Sequence, residues 1–306
     1  MSPDDGELRF DALTGEWVTI VGGRQDRPHL PDDSCPFCVG GLEAPEPYTV
    51  RAFPNRWPPL TDGPAGEGGG GADRAPARGA AEIVLYTPEH DASFASLGVD
   101  GVRRVVDLWA DRTAALLARP DVAYVLVLEN RGREVGATID HPHGQIYGFP
   151  FVPPVPAREA ARSAEHGCVI CTEVTRERSD AARVVVEGNG WLGWVPFASS
   201  WPYGVLLAPI EHSPGLPALS DEGRTGLAHA LVDVLEAYDR LFDRPVPYML
   251  WVHQQPDRPD AHLHVHLAPT WRAASVARYV AAAELGSGTL FNPVVPEHAA
   301  ARLRDA

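Results

Sequence analysis

Two short stretches of this chain carry side chains that could do chemistry. They are His141-Pro142-His143-Gly144-Gln145 and His262-Leu263-His264-Val265-His266. In an extended strand, residues i, i+2 and i+4 share a face. His141, His143 and Gln145 therefore point one way, and so do His262, His264 and His266. Leu263, Val265 and Leu267 form the opposite side of the second strand, which suits a core. A Cys-x-x-Cys pair accompanies each stretch, Cys35/Cys38 and Cys168/Cys171, together with a His just after a proline, His90 and His212. Zinc prefers four tetrahedral ligands from Cys and His. Two such sets are present: Cys35, Cys38, His90 and His141, then Cys168, Cys171, His212 and His262. A Cys2His2 set leaves no position for water and reads as structural. Reduced core cysteines and a redox pair are the other readings of the same thiols. The zinc reading leaves His143 over. A neutral imidazole can attack phosphorus and form a covalent intermediate. Gln145 beside it can donate to a phosphoryl oxygen as charge builds there, and Gly144 between them is expected to keep that strand face uncrowded.

The elements that must position these groups repeat. Val102, Val105, Val106, Trp109, Thr113, Leu116 and Leu117 recur at helical spacing, and so do Leu227, Leu231, Val234, Leu235, Tyr238, Leu241 and Phe242. Pro120 and Pro245 follow as stops. β-rich runs lie around them at 7–21, 83–86, 123–128, 182–187, 203–208 and 247–252. In each half the order is Cys-x-x-Cys, strand, Pro then His, helix, strand opening with Tyr (Tyr124, Tyr248), and a strand of alternating polar residues. These landmarks, kept in one order, predict a duplicated α+β unit, with halves at 1–155 and 156–306. Residues 61–80 hold almost nothing to bury and are expected to form a disordered loop. A formal G-x-G-x-x-G at Gly66, Gly68 and Gly71 lacks the preceding strand and following helix of a dinucleotide site.

Composition narrows the chemistry. The chain has 306 residues, with 26 basic against 41 acidic side chains and a formal net charge of −15. That balance argues against nucleic acid or an anionic membrane as partner. Every basic residue is Arg, which removes Schiff-base chemistry and the Gly-Lys-Ser/Thr phosphate loop. No apolar run is long enough to span a bilayer and no signal core opens the chain, so a cytoplasmic protein is expected. In a reducing compartment the Cys pairs point to metal.

Several motifs resemble the galactose-1-phosphate uridylyltransferase family, within the histidine-triad superfamily. They are Cys-Pro-Phe-Cys (35–38), Phe-Pro-Asn (53–55), Glu-Asn-Arg-Gly (129–132), His-Pro-His-Gly-Gln-Ile-Tyr (141–147), Trp-Val-His-Gln (251–254) and Leu-His-Val-His-Leu (263–267). The resemblance runs from about Arg9 to Arg304. It implies a duplicated histidine-triad-like fold, an antiparallel half-barrel sheet flanked by helices, assembled as a homodimer. It implies ping-pong transfer of UMP from UDP-glucose to galactose-1-phosphate, with His143 holding UMP covalently and Gln145 steadying the phosphoryl oxygens. It assigns nucleotide or phosphate contacts to Asn55, Asn130, Gly136, Thr138, Arg24 and Arg27. Arg278, Tyr279 and Glu284 fall in a segment resembling one that the partner donates to the sugar site. Glu159, His253, His264 and His266 match a further metal site, for iron or zinc. The chain departs from the pattern at Arg56 and Leu128, and at 284–293, which lacks a Gln that holds the hexose. That last segment resembles a branch containing an ADP-glucose phosphorylase-type adenylyltransferase. A non-catalytic, zinc-stabilised nucleotide-binding protein is the reading from a different class.

Overall fold

The computed structural model describes residues 6–24, 35–62 and 72–306. The chain runs from a hairpin of β1 (Glu7–Asp11) and β2 (Glu16–Ile20) through β3 (Arg51–Pro54), β4 (Arg74–Pro76) and β5 (Ala80–Leu85) to helix α1 (Gly98–Leu117). Strands β6 (Tyr124–Arg131) and β7 (His143–Phe149) follow. Two helices come next, α2 (Pro154–His166) and α3 (Val169–Asp180), then β8 (Val184–Gly188), β9 (Trp191–Trp194) and β10 (Val205–Pro209). Helix α4 (Asp221–Phe242) leads into β11 (Tyr248–His253) and β12 (His264–Pro269). A small hairpin, β13 (Trp271–Ala273) and β14 (Val276–Ala277), and helices α5 (Ala282–Ser287) and α6 (Pro296–Arg304) end the chain.

Among the described residues, nine strands form one antiparallel sheet in the order β3-β5-β7-β6-β11-β12-β10-β9-β8. The order mirrors itself about the β6–β11 contact. β7 and β12 lie next outward, then β5 and β10, then β3 and β9. The duplicated α+β unit is therefore a duplication in space, with the two halves joined edge to edge by β6 and β11.

One face of this sheet is apolar because the strands alternate. Val125, Val127, Ile146, Leu250, Val252, Leu263, Val265 and Leu267 pack with the buried stripes of α1 and α4, including Trp109, Leu231 and Tyr238. The same alternation sends His143, Gln145, His264 and His266 to the other face. Helix α4 starts at Ser220, whose hydroxyl accepts from Gly223 N at 3.1 Å. Asp221 and Glu222 in its first turn suit the positive end of the helix dipole.

Three expectations change. Part of 61–80 is ordered: β4 pairs with β1, and Ala77 and Ala80 are buried. Backbone pairing orders this stretch, and side-chain composition carries no sign of it. The glycine-rich fingerprint at Gly66–Gly71 lies outside the described residues. Next, β7 begins at His143 and β12 at His264, so His141 and His262 precede the ladders. Pro142 has no N–H to donate, and Leu263 N is spent on Ser213 O at 2.7 Å.

The third change concerns Gly144. It sits on the helix-covered face, where a Cβ would lie 2.1 Å from the Tyr86 hydroxyl and 2.9 Å from Leu128 O. The glycine makes room for Tyr86 beneath the strand and does nothing on the His143 face. Gly144→Ala is expected to cost about 1–3 kcal/mol by overpacking, with partial recovery in Gly144→Ala/Tyr86→Phe. Equal denaturation midpoints for wild type and the single variant would sink this reading.

Candidate functional site

The first Cys/His set converges from three places: the turn at 35–38, the loop after β5, and the segment before β7. All four ligand atoms of Cys35, Cys38, His90 and His141 lie within 4.8 Å of one another. Cys38 Sγ is 3.6 Å from His90 Nδ1, and Cys35 Sγ is 3.7 Å from His141 Nδ1. A tetrahedral zinc with ordinary bond lengths gives a sulfur–nitrogen edge of about 3.5 Å, so the donors fit that ion. The second set is the counterpart. Cys168 Sγ lies 3.4 Å from His262 Nδ1, and Cys171 Sγ lies 3.4 Å from His212 Nδ1. In both sets the outer imidazole nitrogens face backbone carbonyls. His141 Nε2 donates to Thr87 O at 2.8 Å, His262 Nε2 to Pro209 O at 3.0 Å and His212 Nε2 to Pro259 O at 2.9 Å. Such bonds fix the tautomer that presents Nδ1 to a metal. Burial, and then the neighbouring Cys168, push the Cys171 thiol up to about 11. A redox dithiol needs the opposite shift.

One histidine of each set, His141 and His262, hands its carbonyl to the histidine two residues on. His143 Nδ1 donates to His141 O at 2.7 Å, and His264 Nδ1 donates to His262 O at 2.8 Å. In the neutral ring this leaves the lone pair on Nε2. Phe37, inside the Cys-x-x-Cys turn, packs its ring 5.0 Å from that of His143. Tyr48 ties the same turn to the strand through contacts with Phe37 O at 2.7 Å, Thr87 O at 2.8 Å and His141 Nε2 at 2.9 Å. Two residues beyond His143, Tyr147 donates its hydroxyl to Gln145 Oε1 at 2.8 Å, which turns the amide N–H pair toward the open face. Phe37, Tyr48 and Tyr147 were not singled out from the sequence. Aromatic residues inside or beside a metal motif were the available signal.

A cleft of about 230 Å³ opens at His143 and is lined by Asn130, Gly132, Ala137, Pro142 and Trp271, among others. The register of β6 on β7, with Leu128 opposite Gln145, brings Asn130 beside His143. Gly136 and Thr138 flank the cleft residue Ala137. Gly136 closes a short turn in the left-handed region at φ 83°. Asn55 is not among the cleft residues, and its Oδ1 accepts from Trp57 N at 2.9 Å. Arg24 ends a short turn after β2, and Arg27 lies outside the described residues. Arg278 and Glu284 are buried and paired, and Arg278 stacks 4.4 Å over Trp201. Glu284 also accepts from Ala281 N and Phe291 N, folding the segment around α5. Tyr279 beside them is exposed.

Glu129 lies beneath Asn130, on the face covered by α1. Burial raises its carboxyl to about 8, against the opposing effects of the Tyr248 hydroxyl at 3.0 Å and Arg131. The folded protein therefore holds this proton where the unfolded chain releases it. The resulting stability is full below the ordinary carboxylate range and falls as pH rises through 8. Glu129→Gln should leave the fold intact at pH 6 and flatten that alkaline loss. A parallel alkaline decline of wild type and variant in urea titrations at pH 6 to 9 would overturn the assignment.

The third set, Glu159 from α2 with His253, His264 and His266, also converges within 4.8 Å. Glu159 Oε2 is 2.8 Å from His253 Nδ1 and 3.5 Å from His264 Nε2. Burial lowers both His253 and His266 and keeps them neutral, the state that ligates metal. Burial raises Glu159, but its histidine partners outweigh this and hold it well below the usual carboxylate range.

Comparison with known proteins agrees with this geometry. The profile described as "Galactose-1-phosphate uridyl transferase, N-terminal domain" matches residues 69–153, and its C-terminal counterpart matches 160–306. The chain is 37% identical to a galactose-1-phosphate uridylyltransferase of Thermotoga maritima, over 98% of each chain. It is 36% identical to one of Streptomyces lividans, over 98% of this chain and 86% of that protein. A solved structure titled as uridylyltransferase superposes with a TM-score of 0.88 at 32% identity, covering 98% of this chain and 97% of that one. An ADP-glucose phosphorylase from Arabidopsis thaliana superposes at 0.77 with 23% identity, over 98% and 99% of the two chains, a likeness of fold alone.

Proposed function

The chain belongs to the galactose-1-phosphate uridylyltransferase family, and from that premise we propose that it transfers UMP from UDP-glucose to galactose-1-phosphate, with His143 as the covalent carrier. Nε2 of neutral His143 attacks the α-phosphorus. A P–N bond forms, the bond to the glucose-1-phosphate oxygen breaks, and glucose-1-phosphate departs. The ring becomes cationic, and the His141 carbonyl at 2.7 Å stabilises the charged N–H. Gln145, its amide set by Tyr147, donates to the phosphoryl oxygens as their charge grows. An oxygen of galactose-1-phosphate then takes the phosphorus, the P–N bond breaks, and UDP-galactose leaves. Asn130, Gly136 and Thr138 would position nucleotide and phosphate in the cleft, with Asn55, Arg24 and Arg27 as further contacts. The pairing of His143 with the His141 carbonyl, beside an oriented Gln145, carries this reading.

The 1–155 half would hold the carrier. The 156–306 half would pair with a second copy, whose exposed Tyr279 would reach the sugar while Arg278 and Glu284 hold that segment folded. Cys35, Cys38, His90 and His141 would hold one zinc, and Cys168, Cys171, His212 and His262 another. Bound there, zinc supplies a rigid cross-link and no chemistry of transfer. Glu159 with its three histidines would hold zinc or iron. No helix among the described residues is long and apolar enough to cross a membrane. The unpaired, metal-suited Cys pairs favour a reducing compartment, the cytoplasm.

Intact-mass measurement after mixing with UDP-glucose, and separately with ADP-glucose, tests the reading. A UMP adduct from the first only is expected. An AMP adduct from ADP-glucose only would move the function to adenylyl transfer, and no adduct from either, with hydrolysis outrun by rapid quenching, would leave a nucleotide-binding protein.

A further inference from the structure

The C-terminal half holds a pocket that the transfer reaction does not use. It measures about 340 Å³, and all four of Glu159, His253, His264 and His266 line it. Its place in the sheet explains its origin. β12 is the counterpart of β7, so His264 stands where His143 stands, and each hangs from the carbonyl of a Cys2His2 histidine. His253 lies opposite His264, as Asn130 lies beside His143, and His266 takes the place of Gln145. The pocket is thus the duplicated copy of the transfer cleft, with its polar positions refilled by imidazoles and the carboxylate of Glu159.

Three features bear on a ligand. His266 Nε2 is buried with no hydrogen-bond partner among the described residues, so a donor atom there awaits an electrophile. Three neutral imidazoles and one carboxylate around a divalent cation leave one net positive charge. Arg158, Arg162 and Arg258 line the same pocket with Asp260; Arg162 pairs with Glu165 and Arg258 with Asp260, and Arg158 is the lining cation with no carboxylate partner among the described residues. A Glu/His3 set differs from a Cys2His2 set in chemistry as well. Harder metals held by nitrogen and oxygen take five or six ligands, and here the pocket is the space for the extra ones.

We propose that the Glu159/His253/His264/His266 site, loaded with its metal, binds a phosphate anion or phosphate monoester as an exogenous ligand in the adjoining pocket, with Arg158 lining the phosphate side. The four residues would hold the metal, and a phosphate in the pocket would supply it an oxygen while Arg158 balances the remaining negative charge. This rests on the metal reading of those residues and not on transfer by His143.

The test uses the full chain produced in cobalt(II)-supplemented medium and titrated with inorganic phosphate. A saturable shift of the cobalt visible bands is expected, without change in the thiolate-to-cobalt absorption of the Cys2His2 sites. Glu159→Ala should lose one equivalent of cobalt and the whole shift. Arg158→Ala should keep the cobalt and need several-fold more phosphate. Unshifted bands with that equivalent of cobalt present would overturn the proposal, and so would equal cobalt content in wild type and Glu159→Ala. His143→Ala, assayed alongside, should keep the phosphate response after losing transfer, which separates this proposal from the reaction itself.

Discussion

His143→Ala is expected to abolish the covalent uridylyl adduct and to lower turnover by about 10⁴-fold or more, the scale on which removing a covalent nucleophile acts. The fold should survive. His143 is half-buried at the mouth of the cleft, and its named contacts are Phe37 and the His141 carbonyl. Neither Phe37 nor the carbonyl is left as an unpaired buried charge by the truncation. Stability should therefore change by no more than about 1 kcal/mol. Gln145→Ala is a weaker lesion, because the carrier remains and only donors to the phosphoryl oxygens are lost, a loss of about 10²–10³-fold. Adduct mass and single-turnover rates on both variants decide the matter. An adduct of undiminished yield in His143→Ala would move the nucleophile elsewhere.

Removing the metal from Cys35, Cys38, His90 and His141 should be the second large effect, and it should fall on stability and transfer together. Structural zinc in small domains is worth about 10–16 kcal/mol at neutral pH, comparable with the whole stability of a folded domain, about 5–15 kcal/mol. Without the cross-link, the 35–38 turn is held by its own backbone bonds, by Tyr48 and by the small apolar cluster of Phe37, Ala44, Ile83 and Leu85. A chelator that strips the metal should lower the melting temperature by about 10 °C or more. The path to activity is short. A metal there would fix His141, whose carbonyl accepts from His143, and Phe37 from the same turn packs against the His143 ring. Tyr48→Phe separates the two effects. It should keep metal content near wild type while reducing kcat more than KM, because all four ligands remain and the hydroxyl's contacts with Phe37 O, Thr87 O and His141 Nε2 are lost. An unchanged melting temperature after confirmed metal loss would refute the structural role.

Much of this was legible because it depends on side-chain type and local order. The two long helices announced themselves by spacing, and α1 and α4 enclose the periodic positions, with Trp109, Leu231 and Tyr238 in the core. The paired Cys-x-x-Cys and His-x-His patterns named two ligand sets, the family resemblance supplied a third, and each converges. Helices α2 and α3 were not legible. Their buried faces are thin, Pro156 in one and Val174 with Glu177 in the other, so no apolar stripe marks them. The ordering of Arg74–Pro76 was equally hidden, since strand pairing uses backbone groups that every residue carries.

Sequence alone picked out the residues whose types could hold chemistry, their two matching Cys/His sets, and His143 as the candidate outside those sets. Those are matters of identity and order along the chain. Tertiary structure decided what surrounds them. Tyr48 and Phe37 brace the Cys35–Cys38 turn and the His143 ring, Gly144 serves Tyr86 rather than the His143 face, and burial raises the Glu129 carboxyl. It also decided that the two halves share one sheet, which turns the second histidine strand into a pocket of its own. Each of these depends on contacts between segments far apart in the chain, set by how the sheet and its helices close together, and no local pattern records them.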